Sequence, residues 1–324
     1  MLLRIKKQKS KNTKVSCFTI EKMLLYLPRM ADLRKYTVKN FAFYCKSYIK
    51  DVKHVSKLVE SFNKYNVENI HLYISVPATD MDFFIKFASK NITVIKDEDY
   101  ALSYLTTENA GRFSAGYVNQ EICKLSFWES KLALNYLCID SDASFIRDFK
   151  FDDFMYTDTI PYTILGMDKD LSVERYYKKF WKYRIENIKK IYEEVGLDDK
   201  RYRSSHGMTI LNAKVLESLK QDFMQSKGYS YRNLIEIAPF EFTWYNAWFQ
   251  KCKLVEEVAV EPFFKTFHCK IEYKLSRMKN IKLEDYARSY VGIVINSNWG
   301  RNAGNYKNPS LIDKFIYYLL KKMK

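Results

Sequence analysis

From Val38 to Cys45 almost every residue is apolar, which predicts a strand buried on both faces. Asp51 to Asn63 follows with Val52, Val55, Leu58, Val59 and Phe62 at helical spacing, and Ile70 to Val76 then reads as a strand stopped by Pro77. Strand, helix and strand of these lengths make a βαβ unit, hence a parallel pair. The alternation continues with a helix over Met81 to Ser89, a strand over Ile92 to Ile95, a helix over Gly116 to Glu129 and a strand over Asn135 to Asp140. Such a series predicts an α/β fold whose ligand lies at the carboxyl ends of the strands.

The second half is less regular. Ser172 to Val195 reads as one long basic helix containing Tyr176, Tyr177, Phe180 and Trp181. Gly207 to Leu211 reads as a short strand, and Ala213 to Ser226 and Glu241 to Lys251 as helices. Before the first strand, residues 1–36 form a basic extension with a short helix over Phe18 to Leu27 that ends at Pro28. Beyond the domain, Leu311, Ile312, Phe315, Ile316, Leu319 and Leu320 form an apolar stripe against Lys314, Lys321, Lys322 and Lys324. The expected division is therefore an extension over 1–36, one α/β domain over 37–304 and a basic amphipathic helix over 305–324. That last helix either docks on the domain or lies on an anionic membrane surface.

Composition narrows the class. An apolar fraction of 47% in 324 residues, with 26 Tyr and 22 Phe but 9 Gly and 6 Pro, excludes disorder and a loop-rich all-β fold. Six cysteines without C-x-x-C spacing, several inside apolar runs, point to reduced thiols packed as small hydrophobes. No signal peptide and no run of ~18 apolar residues is visible, so a cytoplasmic protein is expected, peripheral on the inner face of the membrane if the last helix binds there. The net charge of +16 calls for an anionic partner, but the basic residues are spread along the chain rather than gathered in a stripe.

The candidate chemistry sits where the strand Asn135 to Asp140 ends, in Asp140-Ser141-Asp142. On an extended backbone, residues two apart point the same way, so both carboxylates would share a hard cation such as Mg²⁺ or Mn²⁺. Neither G-x-G-x-x-G nor G-x-x-x-x-G-K-[ST] occurs in the chain. A bound phosphate must then be held by something other than a glycine loop, and a metal on Asp140 and Asp142 would serve.

Four motifs in order carry a resemblance: Phe43-Tyr-Cys-Lys-Ser47-Tyr48-Ile-Lys-Asp51, Ile74-Ser-Val-Pro77, Gly116-Tyr-Val-Asn-Gln120-Glu-Ile-Cys-Lys124-Leu, and Tyr136-Leu-Cys-Ile-Asp140-Ser141-Asp142-Ala-Ser-Phe-Ile. Over roughly residues 38–300 the chain resembles a family of glycosyltransferase-like proteins found among enzymes of bacterial surface-polysaccharide synthesis. The resemblance implies the type-A glycosyltransferase fold: a Rossmann-like, mostly parallel central sheet flanked by helices, with helical C-terminal additions. It further implies a nucleotide-sugar donor across the carboxyl edge, with metal and diphosphate at Asp140-Ser141-Asp142. Ser47, Tyr48 and Asp51 would neighbour the nucleoside, and Gln120 and Lys124 would reach the donor. The acceptor would be a surface polysaccharide, a lipooligosaccharide or a lipid-linked precursor.

The residue types agree with those roles. Gln120 and Lys124 are four apart and share a helix face. Asp51 stands just before a helix, where it would otherwise be an N-cap. Glu241, in Pro239-Phe-Glu241-Phe-Thr-Trp244, is the candidate base for an acceptor hydroxyl, with Asp142 as its catalytic companion on the metal. His268 or Asn298 would complete the metal shell; Lys265, Arg301 and His206 are candidate diphosphate ligands. Two other readings use the same features: a nucleic-acid-binding protein gripping through charge and aromatics, and a metal-dependent nucleotidyl- or phosphotransferase. The chain carries no nucleic-acid-binding motif, so nucleic acid is not the expected partner.

Overall fold

The computed structural model describes residues 37–167, 169–173, 178–205, 207–268 and 270–297, together with 311, 315, 318 and 319. Residues 1–36, with the expected helix over Phe18 to Leu27, lie outside them, as do His206, Asn298 and Arg301.

The central sheet has five strands: β1 (Lys39–Lys46), β2 (His71–Val76), β3 (Ile92–Lys96), β4 (Ala133–Cys138) and β6 (Ile210–Asn212), in the order β3-β2-β1-β4-β6. The first four are parallel, while β6 runs antiparallel to β4. The α/β architecture with a mostly parallel sheet is thus the one the alternation predicts.

Residues of β1 alternate between two cores, which is why its sequence is apolar throughout. Phe41, Phe43 and Cys45 face one core, where helix α1 (Val52–Tyr65) packs through Val55, Leu58 and Phe62. Ala42 and Tyr44 face the other, beneath α2 (Ala115–Ser126), α3 (Lys178–Val195) and α4 (Glu241–Cys252). Phe43 is fully buried and meets Phe62, Phe145, Phe149 and Phe154 edge-on at 5.1 to 5.7 Å. Such pairs add about 0.5–1.5 kcal/mol each beyond area burial. Ser114 caps α2 by accepting from Tyr117 N–H, and Asn66 closes α1 by bonding both backbone groups of Ile70.

The second half holds more strand than the single one expected at Gly207 to Leu211. A three-stranded sheet of β5 (Ala143–Phe145), β8 (Gly292–Ile295) and β7 (Phe264–Phe267) closes the Phe43 core. Its strands are three or four residues long, too short to give a period. At Gly292 a Cβ would come within 2.1 Å of the Phe264 ring and 2.7 Å of the Ser144 carbonyl, so only glycine lets the middle strand pass.

Several expected helices are shorter or broken. The element over Met81 to Ser89 turns 3-10 after Phe84, and that over Ala213 to Ser226 becomes a π-helical turn at Leu219–Met224. The long helix expected from Ser172 is Asp170–Val173 followed by α3, with 174–177 outside the described residues. The strand expected from Gly207 starts only at Ile210. At the C-terminus the described residues Leu311, Phe315, Tyr318 and Leu319 are helical and 82, 58, 50 and 43% exposed. Cys45, Cys123 and Cys138 are buried free thiols, and no helix among the described residues is long and apolar enough to cross a membrane.

Candidate active site at the sheet switch point

The chain adds β2 and β3 on one side of β1, then returns to place β4 on the other. The carboxyl ends of β1 and β4 therefore lie side by side where the strand order reverses, and ligands of open α/β sheets bind at such a switch point. Ser47 and Tyr48 follow β1, and Asp140-Ser141-Asp142 follows β4. Sequence spacing alone already brought these residues to one edge; the topology makes them neighbours.

The acidic pair is not on an extended backbone. Strand β4 ends at Cys138, and the Ala143 N–H donates to the Asp140 carbonyl at 3.0 Å, closing a turn over Asp140-Ser141-Asp142. Here the expectation of an extended backbone fails, because β5 must start at once in a different sheet. The two carboxyls still lie close: the Asp142 carboxyl is pushed up to about 6 by burial and by the charge of Asp140. The Ser297 backbone N–H donates to Asp142 Oδ2 at 2.7 Å. Asp51 stands at the N-cap position of α1, but its side chain makes no capping bond; its Oδ2 accepts from the buried Ser141 hydroxyl at 3.1 Å. Ser47 is 2% exposed, and its hydroxyl has no hydrogen-bond partner among the described residues.

This donor set fits a hard divalent cation. Two carboxylates repel each other in a half-buried turn, the Asp140 side chain is 44% exposed, and one or two carboxylates plus substrate phosphates are the usual ligands of Mg²⁺. Among the described residues no group of three or more His, Cys, Asp or Glu is arranged to hold a metal. His268, expected in the shell, stands after β7, where its backbone N–H donates to Glu272 at 2.8 Å.

Behind the turn lies a buried charge network. Lys124 Nζ is 3.4 Å from Asp140 Oδ1 and 2.8 Å from Glu241 Oε1, with the Lys124 and Glu241 side chains 6 and 10% exposed. Burial alone would raise the Glu241 carboxyl, but the Lys124 ammonium and hydrogen bonds from Glu121 and Lys124 hold it below the usual range. Glu121 goes the other way: burial and the Glu241 charge beside it push its carboxyl well above that range. Gln120 is half-buried on the same helix. Glu241 is therefore tied to Lys124 and is not the open carboxylate that a base requires, and sequence reading missed Glu121 altogether.

A second buried pair underlies the edge on the β3 side. Lys46 Nζ lies 2.9 Å from Asp97 Oδ2, with side chains 7 and 4% exposed, and the Ser75 hydroxyl donates to Asp97 at 2.5 Å. On the opposite flank a cavity of about 1040 Å³ is lined by Ser205, Met208, Phe264, Lys265 and His268 among others. Met208 precedes β6, next to the end of β4, and Phe264 and Lys265 belong to β7. Lys265 and His268 thus line this cavity, whose walls include neither Asp140 nor Asp142.

The model of a family of unknown function (DUF6492) matches residues 41–270, which hold both halves of the switch point and the charge network. The chain belongs to that family. No curated protein matches by sequence. Among solved structures, the apo form of the bifunctional glycosyltransferase WbbM is similar at 12% identity and a TM-score of 0.46, over 86% of this chain and 51% of that one. The chain spans about half the length of that protein. Apo mouse xyloside xylosyltransferase 1 is similar at 11% identity and a TM-score of 0.43, over 80% of this chain and 98% of that one.

Proposed function

We propose that the chain is a metal-dependent glycosyltransferase of the type-A fold, moving a sugar from a nucleoside-diphosphate donor to a glycan or lipid-linked glycan. The observation that carries this reading is the repelling carboxylate pair of Asp140 and Asp142 at the switch point, in a chain with no phosphate-binding glycine loop. Asp140 and Asp142 would hold Mn²⁺ or Mg²⁺. That ion would supply Lewis-acid neutralisation of the departing diphosphate.

The chain's own residues account for the rest. In the transfer, the bond from the anomeric carbon to the diphosphate oxygen breaks, an acceptor oxygen bonds to that carbon, and the acceptor hydroxyl's proton passes to the departing diphosphate or to water. The Ser47 hydroxyl, without a partner among the described residues, and Asp51 offer polar contacts on the nucleoside side of the turn. On the other side, the large cavity with both apolar and charged walls suits an acceptor sugar, whose faces are apolar and whose rim is polar. Donor hydrolysis and transfer across a nucleotide-sugar panel, with products weighed by mass spectrometry, test the reading. A hexose mass added to the acceptor only when Mn²⁺ or Mg²⁺ is present supports it, and a transferred phosphate or nucleotide overturns it.

The exposed Leu311, Phe315 and Leu319, in a sequence segment that also carries Lys314, Lys321, Lys322 and Lys324, support a peripheral contact with an anionic membrane. Flotation with phosphatidylglycerol vesicles is expected to carry the full chain upward and to lose it on Phe315→Glu. Equal flotation of both would remove this helix as the anchor.

A further inference from the structure

Three carboxylates crowd one ammonium behind the Asp turn. Lys124 reaches Asp140 Oδ1 and Glu241 Oε1, the Phe242 ring lies 4.9 Å from its ammonium, and Glu121, 2% exposed, is buried on the same helix as Lys124. Glu121 Oε2 has no partner among the described residues, a cost that a merely space-filling leucine would not incur. The three side chains come from α2 and α4, which are 117 residues apart at the Lys124 to Glu241 contact. Neither Lys124 nor Glu241 is placed as a reactant. Lys124 is 6% exposed with its ammonium already shared between two carboxylates, and Glu241, 10% exposed, has one oxygen on Lys124 at 2.8 Å.

What this cluster does touch is one of the two turn carboxylates. A carboxylate that binds a metal is itself held by an outer hydrogen bond, which fixes its orientation and leaves the remaining lone pairs for the ion. Asp142 has such a bond from the Ser297 N–H, and for Asp140 the only outer partner among the described residues is Lys124. We propose that Lys124, Glu241 and Glu121 are positioning residues: the two glutamates fix the lysine, and the lysine fixes Asp140 for a divalent cation. The inference rests on the reading of Asp140 as a cation ligand. It assigns to Glu241 a role other than that of the acceptor's base, and to Lys124 a role other than that of a donor ligand.

Calorimetric titration of the full chain with Mn²⁺, together with kcat measured against Mn²⁺ concentration, tests it. The variants are Glu241→Gln, Lys124→Met and the double variant Lys124→Met/Glu241→Gln, which keeps the buried charge balanced and so guards against a folding failure of either single change. The Mn²⁺ dissociation constant is expected to rise by about 10–100-fold in Glu241→Gln and in the double variant, the usual effect of losing an outer partner. Turnover of Glu241→Gln should recover at saturating Mn²⁺. A Glu241→Gln variant with wild-type Mn²⁺ affinity and turnover lost at every Mn²⁺ concentration behaves as a missing base and overturns the inference. So does a Lys124→Met variant that binds Mn²⁺ more tightly, because the ammonium would then be a competitor of the ion. If the wild-type chain binds Mn²⁺ no better than an Asp140→Asn/Asp142→Asn variant, the reading of the turn fails and this inference with it; if the wild type binds and the variants match it, only the inference falls.

Discussion

Asp142→Asn is expected to cut sugar transfer by about 10³-fold or more while leaving the protein at least as stable as before. The change keeps the shape of the side chain and removes one charge. If that charge holds the ion, its loss withdraws several kcal/mol of stabilisation from the developing diphosphate, and each ~1.4 kcal/mol is tenfold in rate. Stability moves the other way. In the folded chain without an ion, the Asp142 carboxyl is pushed up to about 6, first by burial and then by Asp140, so ionising it at pH 7 works against folding. Asparagine removes that penalty, and the Ser297 N–H keeps an oxygen to donate to. An inactive variant whose melting temperature stays level or rises is therefore the signature of a functional charge. A variant that retains more than about a tenth of wild-type transfer, in EDTA as well as in Mn²⁺, contradicts the role.

The largest effect on stability is expected at Asp97. Lys46 and Asp97 form an ion pair with both side chains almost out of water, and removing one partner strands the other charge. Asp97→Ala should cost about 3–5 kcal/mol of unfolding free energy, since it leaves the Lys46 ammonium with the Ser47 carbonyl at 2.6 Å and takes from the Ser75 hydroxyl its acceptor. The double variant Lys46→Met/Asp97→Leu should recover most of that loss, because a buried pair replaced by apolar side chains of similar volume is often neutral. Guanidinium unfolding at pH 7 measures both. A loss below about 1 kcal/mol in Asp97→Ala would mean that water reaches Lys46, since exposed pairs contribute that little.

The first half of the fold is legible in the sequence because burial on both faces writes itself as an unbroken apolar run, as in Phe41-Ala-Phe-Tyr-Cys45. A one-sided helix such as α1 likewise writes itself as Val55, Leu58 and Phe62. The second sheet is not legible, because strands such as Ala143–Phe145 hold only one or two turns of the alternation. Within the site, the Asp turn and Ser47 are visible because they end strands. The turn's geometry is not, since it depends on β5 leaving for β8, some 150 residues further along the chain. Glu121 was invisible for a similar reason: a glutamate between Gln120 and Lys124 in an amphipathic helix reads as solvated, and only the packing of α4 across α2 buries it. The same holds for Lys46 and Asp97, which are brought together by β1 and β3 flanking β2.

The central claim is that a nucleotide sugar and a divalent ion bind together at Asp140 and Asp142. Thermal unfolding of the chain against a panel of nucleotide sugars, each with Mn²⁺ and with EDTA, tests it most directly. A ligand that binds the native state at 100 times its dissociation constant stabilises it by about 2.7 kcal/mol. The account predicts that at least one nucleotide sugar raises the melting temperature with Mn²⁺ and not with EDTA, and that the shift disappears in Asp140→Asn/Asp142→Asn. A panel in which no donor shifts the transition, or a shift that survives both EDTA and the double substitution, would contradict it.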